Sequence, residues 1–82
     1  MTYFVYVLLS VSHQTRYVGS TQNIAVRLAQ HNQGSVRYTS GRRPWELIYS
    51  ESFPSRAEAM AREKSLKTGR GRAELDAILS LA

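Results

Sequence analysis

The side chains best suited to chemistry in this sequence are tyrosines, an arginine and a histidine at regular intervals. The segment TRYVGST carries Tyr17 from an apolar run into a glycine and two hydroxyl residues. Asn23, Arg27 and His31 follow at intervals of four, so a helix would present them on one face. The segment therefore predicts either the floor of an active site or, as the simpler alternative, a strand, a tight turn and a helix cap.

A glutamate occupies an unusual position further along the chain. On a helical wheel, one side of the second predicted helix comprises Ala59, Met60, Glu63, Leu66 and Lys67. Burying an unpaired carboxylate costs several kcal/mol, so Glu63 needs a cation, a salt bridge or a metal ion. The wheel alone favours an ion pair with Arg27 or Lys67 over a metal site.

Tyrosine is also more frequent than a core requires. The chain has five tyrosines and two phenylalanines, and Tyr3, Tyr6 and Tyr17 fall on two strands that should pair. Phenylalanine would fill a core without a hydroxyl group to satisfy. A cluster of hydroxyls near an arginine and a carboxylate is a candidate functional site.

The composition limits the possible functions. Eighty-two residues make one domain, taken as residues 1–82, and the absence of cysteine excludes disulfides, zinc fingers and cysteine nucleophiles. A net charge of +5 favours a polyanionic partner, most simply nucleic acid. The apolar run TYFVYVLLS is too short to span a bilayer and does not resemble a signal peptide. We therefore expect a cytoplasmic protein with no membrane association.

The elements that must position these residues are predicted from periodicity and caps. They are strands at Tyr3–Leu9, Arg16–Gly19 and Trp45–Ser52, and helices at Gln22–Asn32, Ser55–Thr68 and Ala73–Leu81. The order β-β-α-β-α-α predicts an α+β fold, with a small, three-stranded, mostly antiparallel sheet flanked by helices. The segment Asn32–Pro44 lacks periodicity and is predicted as a loop.

Local signals set the ends of these elements. Thr21 is the predicted cap of the first helix, and Ser55 with Glu58 forms a capping box at the start of the second. The residues predicted to end the second helix are Thr68, Gly69 and Gly71. The side chains expected to face the core are Ile24 and Leu28 in the first helix, Trp45, Leu47 and Tyr49 in the third strand, and Leu75, Ile78 and Leu79 in the last helix.

With these motifs in order, the chain resembles the GIY-YIG nuclease family, and in particular its small stand-alone branch. FVY at Phe4–Tyr6 stands in the place of GIY, and YVG at Tyr17–Gly19 stands in the place of YIG. Arg27 matches the family's catalytic arginine, His31 completes its R-x-x-x-H form, and Glu63 in EAMAREKSLK matches its metal-binding glutamate. The sequence departs from the family where Phe4 replaces the first glycine. The asparagine that many members carry after the glutamate is also not evident.

The resemblance implies a metal-dependent endonuclease that hydrolyses phosphodiester bonds in DNA. Glu63 would hold one divalent ion, Mg²⁺ or Mn²⁺, and Arg27 would neutralise charge on the phosphoryl oxygens. Tyr6, with Tyr17 as the second choice, would orient the attacking water and accept its proton. A tyrosine with a pKa of about 10 needs that value lowered by Arg27, His31 or the metal. His31 would shuttle a proton or hold a phosphate, or is instead a surface histidine near a helix C-terminus.

The resemblance and the basic charge together predict the contacts with DNA. The expected contact residues are Gly19, Ser20, Arg37, Arg42, Arg43, Lys67, Arg70 and Arg72. Such contacts carry little sequence information, so we expect recognition of DNA shape, of branched DNA or of single-stranded character. Tyr38 or Trp45 could stack on a base, with a core role favoured for Trp45.

Two other functions remain open. A nucleic-acid-binding module on the same fold would bind DNA without cleaving it, and a basic structural protein would use Glu63 and Arg27 only as an ion pair. The protein is expected to be a monomer or a weak homodimer.

Overall fold

The computed structural model describes residues 1–80 and confirms the predicted α+β fold. Its elements are β1 (Tyr3–Ser10), β2 (Arg16–Thr21), α1 (Ile24–Gln33), β3 (Trp45–Phe53), α2 (Arg56–Leu66) and α3 (Gly69–Ser80), with one 3-10 turn at Ser40–Arg42. The three strands form one antiparallel sheet in the order β2-β1-β3. Among these residues, no helix is long and apolar enough to cross a membrane.

The central strand β1 supplies both faces of the sheet, because successive side chains on a strand point to opposite sides. Val5 and Val7 point towards α2 and α3, whereas Tyr6 and Leu8 point towards α1. All four side chains are at most 1% exposed. The sheet is therefore covered on one face by α1 and on the other by α2 and α3.

Two cores result from this arrangement. The aliphatic core, on the side of α2 and α3, consists of Val5, Val7, Val18, Ala59, Leu66 and Leu75. The aromatic core, on the side of α1, consists of Tyr6, Leu8 and Trp45 with the partly buried Tyr17, Ile24 and Leu28 against them. The predicted inward positions of Ile24 and Leu28 and the predicted core role of Trp45 are thus confirmed.

A bulge in β3 changes the face that its side chains reach. The register with β1 shifts in mid-strand and leaves Ile48 as an extra residue. Trp45 therefore lies in the aromatic core, while Tyr49 packs against the aliphatic core. Leu47, between them, stays 42% exposed. The prediction that Trp45, Leu47 and Tyr49 share one face is wrong. The extra residue moves Tyr49 to the face opposite Trp45.

The start of α1 is set by a different residue from the one predicted. β2 continues to Thr21, and Asn23 caps the helix by accepting a hydrogen bond from the Val26 N–H at 3.2 Å. The predicted cap at Thr21 and start at Gln22 are therefore wrong. The helix ends at Gly34, whose φ of 81° is in the left-handed region that glycine adopts without strain.

The start of α2 follows the predicted capping box. Ser55 accepts a hydrogen bond from the Glu58 N–H at 3.2 Å, and its hydroxyl lies 2.9 Å from the Glu58 carboxylate. Ala59 and Leu66 are buried, as the wheel predicts. Met60, predicted on the same side, is 50% exposed, so the buried face of α2 is narrower than expected.

The junction between α2 and α3 agrees with the prediction only in part. Helix α2 ends at Leu66, and both the N–H and the hydroxyl of Thr68 donate to the Ser65 carbonyl oxygen, at 3.2 and 2.7 Å. Gly69 and Gly71, however, belong to α3, which begins at Gly69 and not at the predicted Ala73. The Thr68 hydroxyl caps α3 by accepting from the Gly71 N–H at 3.1 Å. Gly71 is buried, and a Cβ atom there would lie 2.1 Å from the Ser65 carbonyl oxygen. The TGRG sequence is thus a tight corner where α3 crosses the end of α2.

The rest of α3 agrees with the predicted stripe. Leu75 is buried in the aliphatic core, and Ile78 and Leu79 are half-buried. The predicted end of this helix, Leu81, lies outside the described residues.

Candidate active site

Tyr6 lies at the centre of the site, on the middle strand. Its side chain is 1% exposed, and its hydroxyl lies 3.0 Å from Nε2 of His31. Gly19 is its partner across the β1–β2 pair. A Cβ atom at Gly19 would lie 2.5 Å from the Tyr6 hydroxyl oxygen, so a side chain there would displace that group. The glycine of the YVG motif therefore makes room for the Tyr6 hydroxyl.

His31 is buried inside the molecule rather than exposed on its surface. It sits in the last turn of α1 with no exposed area, so the surface interpretation is wrong. Its position follows from the burial of the α1 face that packs on the sheet. The second ring nitrogen, Nδ1, lies 2.7 Å from Oγ1 of Thr39.

One tautomer of His31, with the proton on Nδ1, satisfies both contacts of the Thr39 hydroxyl. Thr39 Oγ1 then accepts from the Nδ1–H of His31 at 2.7 Å and donates to the carbonyl oxygen of Val36 at 3.3 Å. In this arrangement the Nε2 lone pair of His31 faces Tyr6, and the Tyr6 hydroxyl donates to it.

Thr39 was not identified from the sequence, because it lies in a loop with no periodicity to mark it. Two contacts hold the loop in place. The Trp45 indole N–H donates to the Thr39 carbonyl oxygen at 2.9 Å. Asn32 bonds to both the N–H and the carbonyl of Trp45, at 2.7 and 3.1 Å. Only the bulk of Trp45 was visible in the sequence, and the contacts themselves arise from the tertiary structure.

Tyr17 joins the same cluster from β2. Its ring centroid lies 6.3 Å from that of Tyr6 and 5.0 Å from that of His31. On the other side it lies 5.9 Å from the ring of Tyr38. Tyr17 thus connects the buried Tyr6–His31 pair with the surface.

Arg27 lies one turn before His31 on α1 and acts on both members of the pair. Burial raises the pKa of Tyr6 above its ordinary value, and the opposing effect of Arg27 does not cancel it. Burial also lowers the pKa of His31, and the positive charge of Arg27 adds to this effect. At neutral pH the pair is an uncharged phenol bonded to an uncharged imidazole. The protein groups alone therefore do not provide the lowered tyrosine pKa that a resting base would need.

Glu63 reaches this neighbourhood from α2. Its side chain is 23% exposed, and one carboxylate oxygen accepts from Lys67 Nζ at 2.8 Å. Burial acts to raise its pKa, but hydrogen bonding from Lys67 and Ser20 outweighs that effect and holds the pKa below its usual range. The charge of Glu63 also acts on Tyr6, so both groups belong to one electrostatic environment. Of the two predicted ion-pair partners of Glu63, Lys67 forms the pair, whereas Arg27 bonds to Gln30.

Glu63 is chemically suited to one hydrated divalent ion. Mg²⁺ favours oxygen ligands, keeps several waters and is often held by one or two carboxylates with substrate phosphates. Within residues 1–80, no group of three or more histidine, aspartate and glutamate side chains could form a closed metal site. The donor set therefore fits an ion shared with a phosphate and does not fit a structural metal.

The residues predicted to contact DNA are distributed over two parts of the surface. Ser20 and Lys67 lie beside Glu63. Gly19 is instead buried next to the Tyr6 hydroxyl and is not part of the surface. Arg72 and Lys67 line a groove next to Tyr17.

The remaining four predicted contacts are exposed arginines. Arg42 donates to the Thr15 hydroxyl at 3.3 Å, and Arg43 donates to the Ser40 carbonyl at 2.7 Å. Arg37 lies in the loop after α1, and Arg70 lies in the first turn of α3. The contacts of these four arginines with DNA stay a prediction.

Known proteins similar to this one match it over most of its length. A family model described as the GIY-YIG catalytic domain matches residues 2–75. A UPF0213 protein of Natronomonas pharaonis is 43% identical over 67 residues, which are 80% of this chain and 78% of that protein. A UPF0213 protein of Staphylococcus haemolyticus is 42% identical over 67 residues, which are 80% of each chain.

A solved structure is similar in fold as well as in sequence. The solution NMR structure of a UPF0213 protein from Bacillus halodurans aligns with a TM-score of 0.58 and 32% identity. The alignment covers 95% of this chain and 85% of that one. The order of strands and helices described above is therefore shared with a small protein of similar length.

Proposed function

The chain belongs to the GIY-YIG family, and from that premise we propose that it is a divalent-metal-dependent endonuclease that hydrolyses phosphodiester bonds in DNA. The observation that carries the proposal is the buried hydrogen bond of 3.0 Å between the Tyr6 hydroxyl and His31 Nε2. A core needs neither a tyrosine nor a histidine at these positions, whereas a proton-transfer reaction can use both.

The proton route follows from the tautomer of His31. As a water attacks the phosphorus atom, its proton passes to the Tyr6 oxygen while the Tyr6 proton passes to His31 Nε2. The phosphorus–oxygen bond to one DNA strand breaks at the same time, and the leaving oxygen takes a proton from bulk water. Tyr6 therefore accepts a proton without being a phenolate at rest, which its raised pKa would oppose. His31 is uncharged at neutral pH because its pKa is lowered, so its Nε2 lone pair is free to accept.

Arg27 is the group best suited to the phosphate. A guanidinium is permanently charged and offers paired N–H donors, which match the two equatorial oxygens of a phosphoryl group. The Arg27 side chain is held by a hydrogen bond of 2.9 Å from Nη1 to the Gln30 carboxamide oxygen. A fixed donor stabilises charge that develops during the reaction better than a mobile one does.

Glu63 is the residue that would hold the divalent ion. The bound ion would neutralise phosphate charge as a Lewis acid. Glu63 is ionised at neutral pH because its pKa is lowered, and it is partly exposed, so a hydrated ion can reach it. Lys67 competes for the same carboxylate and would turn towards the substrate when the ion binds.

The substrate preference would be set by shape. The expected contacts are mainly arginine and lysine side chains, which bind phosphates of any sequence. We propose that branched or single-stranded DNA is recognised, and that a non-cleaving DNA-binding module is the alternative function.

The test is cleavage of labelled single-stranded, duplex, flapped and branched DNA with Mg²⁺, Mn²⁺ or a chelator. Wild type is compared with Glu63→Gln and with Glu58→Gln, a matched control on the same helix that preserves the capping box. Circular dichroism establishes that each variant is folded. Cleavage should require metal, should fall about 100-fold or more in Glu63→Gln, and should be retained in Glu58→Gln.

The other outcomes distinguish the alternatives. DNA that is bound but not cut under any metal condition would support the binding module. A chain that neither binds nor cuts DNA would support the structural role, with Glu63 and Lys67 as an ion pair only.

A further inference from the structure

A groove beside the site is not explained by the catalytic residues. It has a volume of about 870 Å³ and runs along β2, which forms one edge of the sheet. Tyr17 and Tyr38 line one side, and Lys67 and Arg72 line another. Tyr6, His31 and Glu63 do not line the groove, but two residues that do line it contact the site. Tyr17 packs on His31, and Lys67 bonds to Glu63.

Tyr38 is the most unusual residue in this groove. Its side chain is 83% exposed, although its ring lies only 5.9 Å from that of Tyr17. The next residue, Thr39, is fully buried and bonded to His31, so the backbone that carries Tyr38 is anchored. A large aromatic ring on a fixed backbone, with most of its surface in solvent, provides a stacking platform.

The charges of the groove select the partner. Three cations, Arg16, Lys67 and Arg72, line the groove together with one acid, Asp76. Asp76 pairs with Arg16, and Lys67 pairs with Glu63. A cationic groove with an exposed aromatic ring beside it is the combination that proteins use to bind single-stranded nucleic acid. The cations bind the backbone and the ring stacks on a base.

We propose that this groove binds single-stranded DNA with an unpaired base stacked on Tyr38, next to the phosphate presented to Tyr6 and Arg27. The inference rests on the proposed function, which supplies the identity of the phosphate. In duplex DNA both faces of a base are covered by its neighbours, so a base must be unpaired and unstacked before Tyr38 can contact it. Tyr38 therefore acts as a determinant of substrate structure and takes no part in the proton transfer.

The test measures binding in the presence of a chelator, so that no cleavage is needed. Fluorescence anisotropy compares a labelled thymidine oligonucleotide, an abasic strand of the same length and a duplex. The proteins are wild type, Tyr38→Leu and the matched control Tyr38→Phe, which keeps the ring. Tyr38→Leu should bind the thymidine strand roughly 5-fold or more weakly and the abasic strand about as well as wild type, and Tyr38→Phe should resemble wild type.

Equal weakening for the thymidine and abasic strands, no weakening at all, or tighter binding of duplex than of single strand by wild type would each overturn the proposal. A separate cleavage assay on wild type distinguishes failure of the proposed nuclease function from failure of the groove assignment. If no metal condition gives cleavage but the Tyr38 effect is present, the nuclease function fails and the groove assignment stands. If cleavage occurs and the Tyr38 effect is absent, only the groove assignment fails.

Discussion

The two faces of the sheet come from alternate residues of one strand, yet they differ in chemistry. The aliphatic core is made of valine, leucine and alanine side chains that only need to fill space. The face towards α1 instead buries Tyr6, His31 and Thr39. His31 is hydrogen-bonded to Tyr6 through one ring nitrogen and to Thr39 through the other. A buried polar group costs free energy unless it is hydrogen-bonded, so this face depends on matched polar partners, whereas the aliphatic face depends only on shape.

Two arginines on opposite faces differ in how their charge is balanced. On the side of α2 and α3, Arg62 lies between Glu51 and Glu74 and its charge is balanced within the protein. On the other side, Arg27 bonds to the neutral Gln30 and has no carboxylate partner among the ion pairs of residues 1–80. The division is not complete, because Glu63 of the candidate site lies on α2.

The largest effect on stability is expected at Gly71, where α3 packs most closely against α2. In Gly71→Ala the new Cβ would lie 2.1 Å from the Ser65 carbonyl oxygen and 2.6 Å from the Leu66 Cα. These are backbone atoms that cannot rotate away, so α2 and α3 must separate. The free energy of unfolding should fall by about 3 kcal/mol or more, measured by urea denaturation.

The matched control for that variant is Gly69→Ala, two residues earlier in the same helix. No atom lies within 4 Å of a Cβ at that position. The unfolding midpoint should change little, or rise slightly, since alanine favours a helix more than glycine does. Similar losses in both variants would contradict the close packing assigned to this corner.

The next effect compares two neighbours on β1 that face opposite cores. Tyr6→Phe should reduce the cleavage rate by about 100-fold or more while lowering the unfolding free energy by only about 1 kcal/mol. Val7→Ala should lower the unfolding free energy by about 2 kcal/mol with no change in rate per folded molecule. Single-turnover kinetics and denaturant titrations on both variants measure the two quantities. Equal losses of rate would mean that the faces are not functionally distinct.

A smaller effect is expected at Thr39, a positioning residue. Thr39→Val keeps the shape but leaves the buried Nδ1–H of His31 without an acceptor, so stability should fall by about 1–3 kcal/mol. Cleavage should fall about 10-fold because the tautomer is no longer fixed. Nitrogen NMR shifts of the imidazole report the tautomer directly. Thr39→Ser, which keeps the hydroxyl, should restore both the spectrum and the rate; failure to do so would remove this role.

The smallest effect is a pH dependence of stability. The folded-state pKa of His31 lies below its unfolded value of about 6.5, so the unfolded chain takes up the proton first. The stability contributed by neutral His31 is therefore present above pH 6.5 and is lost as the pH falls through the folded pKa. The slope should approach about 1.4 kcal/mol per pH unit at most. Urea denaturation of wild type and His31→Gln between pH 7 and 5 measures this contribution. If the unfolding free energies of the two proteins fall in parallel with pH, the loss of stability comes from groups other than His31.

The sequence was sufficient wherever the determining contacts are local. The capping box at Ser55 needs only the residue three positions later, and the strand pattern of β1 needs only its own side chains. The positions of Tyr6, Tyr17 and Gly19 could be predicted because they lie on two strands joined by a short turn. Local signals of this kind do not depend on the rest of the fold.

The errors arise where the decisive contact is distant. TGRG predicts a helix end, and α2 does end just before it, but the close approach of Gly71 to Ser65 places the two glycines in the next helix. His31 could have been a surface residue until α1 was placed on the sheet, and Thr39 had no signal before the loop folded over it. Whether the site is catalytic stays a prediction that the assays above decide.

The alternation of β1 also determines how the protein can change over time. A strand has a side-chain period of two, so inserting or deleting one residue within Val5–Leu8 would move the residues on one side of the change to the opposite face. Valine and tyrosine would then meet the wrong core, and both cores would be disrupted in one event. Point substitutions, by contrast, act on one face at a time. Side chains of the aromatic core can therefore change while the aliphatic core continues to stabilise the fold.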